Sequence, residues 1–135
     1  MRVMIDTNVL ISALLFPESR PAALVALLAE EHTIVLCTQV VLELRKVFRR
    51  KFPDRLLNLE RFLSEFAFEL AYTPENGVSL GHLQMRDKAD LPILASAILA
   101  DVDVIISGDQ DFLSLSLERP EILTVNEFQE RYGGS

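Results

Sequence analysis

The chain has 135 residues, half of them hydrophobic, with 20 acidic against 13 basic residues and a net charge of -7. That length suits one domain around one core, and the hydrophobic share excludes a disordered chain. The charge excludes nucleic-acid binding by overall attraction alone, but not binding through local basic patches or through cations held among carboxylates.

In chain order, "RVMI" at residues 2–5 reads as a short buried strand that ends at Asp6. "NVLISALLF" reads as a helix closed by Pro17. "SRPAALVALLAEE" predicts a second helix, with Ser19 as cap and Pro21 in the first turn, where proline is tolerated. "TIVLC" is a second strand, and its Cys37, the only cysteine, is expected to be a buried reduced thiol. "TQVVLELRKVFRRK" predicts a helix stopped by Pro53. Leu56, Leu59, Phe62, Leu63 and Phe66 then recur at helical spacing within residues 53–70. Residues 72–89 are polar, with Pro74 and Gly77, and predict a loop that could open on a short strand. "PILASAILA" is apolar all round, as buried helices are. "DVDVIIS" is a third strand, "EILTV" a fourth and "NEFQERY" a closing helix. The terminal 133–135 reads as a flexible tail on a single domain of residues 1–132.

The N-terminal stretch has a basic residue and an apolar run, as a secretion leader does, but Asp6 and Asn8 interrupt it. No segment reaches the roughly 20 apolar residues of a membrane span, so a cytoplasmic protein without a membrane partner is expected. Alternating strands and helices predict an α/β fold: a central, mostly parallel sheet flanked by helices on both faces. In such sheets ligands bind beyond the carboxyl ends of the strands.

Several acids fall at or near that edge. Asp6 follows the first strand and could equally cap the next helix. Glu43 lies beside Val47, at the rim of a helix face formed by Val40, Val41, Leu44, Val47 and Phe48, where it either lines a cleft or reaches solvent. Asp90 precedes the buried helix. Pro92 suits the first helical position and puts Leu91 at the cap, leaving Asp90 just outside it. Asp87 is a candidate helper or a loop charge. Asp109 and Asp111 follow the third strand in "SGDQD", behind Gly108, which suits a turn or an unusual backbone angle beside a ligand. Clustered carboxylates repel unless a cation sits among them. Mg²⁺ and Mn²⁺ prefer such oxygen donors and can activate water for attack on a phosphodiester.

The blocks "MIDTNVLISALL", "TQVVLELRKVF", "RDKADLPILASAILADVDVIISGDQDF" and "ILTVNEFQERY" resemble, in order, those of PIN-domain ribonucleases, nearest to VapC-like toxin components of toxin–antitoxin pairs. The order of the blocks, with main acids 37, 47 and 19 positions apart, carries the resemblance. It implies a compact Mg²⁺- or Mn²⁺-dependent ribonuclease, dimeric as many members are, with an antitoxin partner. Asp6, Glu43, Asp90 and Asp109 match the family's catalytic acids, with Asp6, Asp90 and Asp109 as metal ligands. Asn8 and Ser107 match positions that orient the acids, Asp111 the extra acid of the last motif, and Asp87 an acid ahead of the third. Pro92 departs from the pattern.

Arg45, Lys46, Arg49, Arg50 and Lys51 follow Glu43 on its helix. Lys46 and Arg50 are expected to guide an RNA backbone toward the acids; the same residues also suit the negative end of a helix. The alternatives are an RNA-processing nuclease of this fold without an antitoxin, and a metal-binding receiver-like or protein-interaction module without nuclease activity. A receiver usually has adjacent acids after its first strand, where this chain has only Asp6.

Overall fold

A computed structural model describes residues 1–74, 91–115, 117 and 119–133. The elements are β1 (Arg2–Ile5), α1 (Thr7–Leu15), α2 (Arg20–Glu31), β2 (Thr33–Cys37), α3 (Thr38–Lys51), a 3₁₀ turn (Pro53–Arg55), α4 (Leu56–Glu65), β3 (Glu69–Ala71), α5 (Leu91–Leu99), β4 (Val104–Ile106), α6 (Gln110–Leu113), β5 (Glu121–Leu123) and α7 (Val125–Tyr132). The strands form one five-stranded sheet in the order β3-β2-β1-β4-β5, and every pairing is parallel. Consecutive residues Val3, Met4 and Ile5 are all fully buried, so both faces of the central strand are covered. This is why parallel strands read as unbroken apolar runs. Each such side chain contributes about 1.5–3 kcal/mol by leaving water.

The helices start and stop where their chemistry directs. The Ser19 hydroxyl accepts from the Ala22 amide with Pro21 in the first turn of α2. Thr124 and Glu127 form a reciprocal capping box on α7. Cys37 is buried and unpaired. Gly133 lies at the C-terminal cap of α7, so that helix closes at residue 132 as expected.

Three expectations need correction. The helix expected over 53–70 ends at Glu65, and β3 occupies the end of that span, ahead of the position expected for a strand. Pairing of Glu69, Leu70 and Ala71 with Val35, Leu36 and Cys37 overrides the helical spacing there. A four-residue helix, α6, follows Asp109, where only a turn was expected. Finally, α5 begins at Leu91, so Leu91 is inside the helix rather than its cap. No single helix among the described residues is long and apolar enough to cross a membrane.

The chain passes from β1 through β2 to β3 on one side and to β4 and β5 on the other. The direction of winding therefore reverses between β1 and β4, and a crevice opens beyond the carboxyl ends of those two strands.

Candidate active site

Asp6 leaves β1 at that crevice, its amide bonded to the Ile106 carbonyl of β4 at 2.9 Å. It holds the capping position of α1, yet its side chain makes no capping bond to that helix. The carboxylate is buried, 6% exposed, and Oδ2 accepts from the Ser107 hydroxyl at 2.9 Å. Ser107, fully buried, extends β4 by donating its amide to the Leu123 carbonyl. Its Oγ also accepts from the Asp109 amide at 3.0 Å, and Asp109 Oδ1 accepts from the Asp111 amide at 2.8 Å. One hydrogen-bonded chain thus runs from Asp6 through Ser107 to Asp109 and Asp111. Asp109 does cap α6, so its turn role and its place beside Asp6 coexist. Asp111 enters the chain through its backbone.

Glu43 reaches the same corner from α3. Val40, Leu44 and Phe48 bury one face of that helix, and half-buried Glu43 stands at its rim. Each of its oxygens has a donor: Thr7 Oγ1 at 2.8 Å on Oε2 and Gln39 Nε2 at 3.2 Å on Oε1. Gln39 is itself placed by a latch to the segment just after β3, since its amide donates to Thr73 Oγ1 and the Thr73 amide to Thr38 Oγ1, both at 3.0 Å. The sequence reading did not single out Thr7 or Gln39. Gln39 was within reach of it, because it sits one helical turn before Glu43.

Burial pushes the Asp6 carboxyl above the usual carboxylate range, and the negative charges of Asp109 and Glu43 push the same way. The Ser107 hydroxyl and the Thr7 amide hold it back only in part. Among the described residues no three acids, histidines or cysteines close into a metal cluster by themselves. What converges fits a hard divalent cation: oxygen donors only, with like charges pressing on a buried carboxylate.

Asp87 and Asp90 lie outside the described residues. Asn8 is exposed, and its side chain bonds to no acid among the described residues. It lines a cleft of about 300 Å³ with Val9, Ser12, Pro21, Gly108 and Asp109. Of the two roles open to Gly108, the unusual backbone angle is not taken: its φ lies outside the left-handed region, and a Cβ there would meet no atom of the described residues within 4 Å. Lys46 and Arg50 are exposed and line a second cleft of about 600 Å³ with Leu42, Arg45 and Arg49. Arg45 is held by Glu60 through two bonds, at 2.9 and 3.2 Å.

An all-parallel α/β domain with acids at its topological switch point belongs to the class that binds ligands beyond the strand ends. The PIN-domain family model matches residues 2–111, and the chain belongs to that family, whose members are nucleases that generally use divalent metal ions. No curated protein matches the chain. Among solved structures it is similar to a chain of VapBC2 from Rickettsia felis, solved bound to a DNA fragment from their promoter. The two share 22% identity over 91% of this chain and 97% of that one, with a TM-score of 0.71.

Proposed function

We propose that the protein is a Mg²⁺- or Mn²⁺-dependent ribonuclease, the toxin half of a toxin–antitoxin pair, in which residues 1–132 are the nuclease domain. The observation that carries this reading is the chain Asp6–Ser107–Asp109, hydrogen-bonded at the switch point, with Glu43 tied to the adjoining Thr7. Asp6 and Asp109, joined in the sequence by Asp90, would hold the ion. When bound, such an ion lowers the pKa of a coordinated water and steadies the charge on a phosphate. Ser107 fixes the orientation of Asp6 and, through the backbone, of Asp109. Thr7 and Gln39 each donate to one oxygen of Glu43 and fix where its carboxyl points, so that it can position an attacking water. Lys46 and Arg50 lie on the same helix as Glu43 and supply cations for the RNA backbone.

An antitoxin partner is supported by the likeness to the Rickettsia felis VapBC2 chain, and the net charge of -7 suits a basic partner segment. A homodimer and a cytoplasmic location belong to the same reading. The test is cleavage of single-stranded RNA by the purified chain with Mg²⁺, with Mn²⁺ and with EDTA, wild type beside Asp6→Asn. Cleavage by the wild type alone, and only with metal, is expected. Metal binding without hydrolysis would favour an interaction module instead.

A further inference from the structure

The smaller cleft borders the acids without being needed to hold them. Its walls come from α1 (Asn8, Val9, Ser12), the first turn of α2 (Pro21) and the β4–α6 turn (Gly108, Asp109). The two sides are therefore those of the switch-point crevice. We infer that this cleft is a subsite for a single nucleobase adjoining the scissile phosphate, with Asn8 reading the base edge and Val9 and Pro21 flanking the ring. The inference rests on the ribonuclease reading and adds to it the residues that set sequence preference.

Four properties select the ligand. Its volume, about 300 Å³, lies at the small end of the ~300–1,000 Å³ range of ligand pockets, which suits one ring system rather than two. Among the described residues the wall has a carboxylate and no basic residue, which suits a neutral ring better than a phosphate. Apolar Val9 and Pro21 are joined by a few polar groups, the usual division between packing and orientation. Gly108 keeps the mouth open: its backbone does not require glycine, and a Cβ there would meet no atom of the described residues within 4 Å.

The exposed Asn8 amide presents a donor and an acceptor side by side, the pattern that pairs with the N6 and N7 positions of adenine. Single-stranded RNA is read in this manner, by splayed bases packed on side chains and hydrogen-bonded along their edges. Adenine is the expected preference. Because Asp109 belongs both to the cleft and to the acid corner, the base read belongs to a nucleotide next to the cut.

The test uses the purified full chain and a set of single-stranded RNA oligonucleotides with A, G, C, U or an abasic residue at each position around the cut. Wild type should prefer adenine at one position. In Asn8→Ala and in Gly108→Val, which fills the cleft, the adenine-to-abasic rate ratio at that position should fall roughly tenfold. A ratio is read because a structural defect lowers both rates alike. Cleavage indifferent to the base at every position, or an equal drop on adenine and abasic substrates in both variants, overturns the inference and leaves the ribonuclease reading standing. Equilibrium binding of the same oligonucleotides in EDTA separates the remaining cases. Adenine-selective binding that depends on Asn8, without cleavage in Mg²⁺ or Mn²⁺, retains the subsite and removes the nuclease. Neither selective binding nor cleavage removes both.

Discussion

The two ends of the sheet use charge in opposite ways. At the amino end every acid named here meets an arginine. Arg2 holds Glu69 through two bonds, at 2.5 and 2.9 Å, and donates to the Ala100 carbonyl; its amide donates to Asp103. Arg119 pairs with Asp103 at 2.7 Å, and Arg131 with Glu121. At the carboxyl end Asp6, Glu43 and Asp109 are held by hydroxyl, amide and backbone donors, with no arginine or lysine paired to them among the described residues. Neutral donors fix where a carboxylate points without cancelling its charge. The amino end is thus complete as it stands, while the carboxyl end retains negative charge that a cation can complete.

The largest effect should come from Asp6→Asn. On the proposed reading Asp6 is a ligand of the ion, and its loss would remove several kcal/mol of charge stabilisation, on the order of 10³-fold in metal-dependent RNA cleavage. Stability without metal should hold or rise, because the substitution removes a buried charge that its neighbours disfavour. The two ends also respond oppositely to pH. Asp6 binds its proton more tightly folded than unfolded, so its contribution to stability falls as pH rises from the unfolded value through the raised folded one. Glu69 is held below the usual range by hydrogen bonding to Arg2, so its contribution is present above the unfolded value and lost as pH falls through the folded one. Thermal unfolding across pH, without metal, should show the Asp6 slope vanish in Asp6→Asn and the Glu69 slope vanish in Arg2→Ala. Identical pH profiles for the two variants would sink the contrast.

Ser107→Ala comes next. It leaves Asp6 and the Asp109 amide each short of one partner, at a cost of about 1–3 kcal/mol in stability. Mn²⁺ affinity, measured by calorimetry, should weaken about 10–100-fold, as when the residues behind metal ligands are removed. Arg2→Ala should act at the other end alone. It loses the bonds to the Ala100 carbonyl, about 1 kcal/mol, and lowers Tm by roughly 4 °C for a domain of this size. Metal affinity should not change.

The parallel sheet was legible because its central strands are buried on both faces and so stand out as short apolar runs. Asp6 and Asp109 stood out as candidates because they follow such runs, and Glu43 because it stands at the rim of the apolar face of α3. Other features depend on contacts that spacing does not carry. β3 was hidden inside a helical pattern because its strand state comes from pairing with β2. The role of Thr7 depends on α3 passing beside the end of β1, a relation between residues 36 positions apart. Gly108 is the same kind of case: "SGD" left a turn or a special backbone angle open, and the fold takes no special angle there but leaves space beside it.

The contrast between paired and uncompensated charge recurs within α3, where it predicts the smallest effect. Arg45 is tied to Glu60, like the arginines of the amino end. Lys46 and Arg50 face solvent with no ion pair among the described residues, in the cleft that follows Glu43 along the helix. Only the second kind is available to neutralise a phosphate, because a contact made by Arg45 would first have to break its bidentate pair. Arg50→Glu should therefore weaken binding of single-stranded RNA a few-fold and reduce the slope of log affinity against log salt by about 0.7, the value of one phosphate contact on a single strand. Arg45→Gln should keep the wild-type slope and act on the packing of α3 against α4. Unchanged affinity and slope in Arg50→Glu would return the basic run to its other role, that of stabilising the negative end of its own helix.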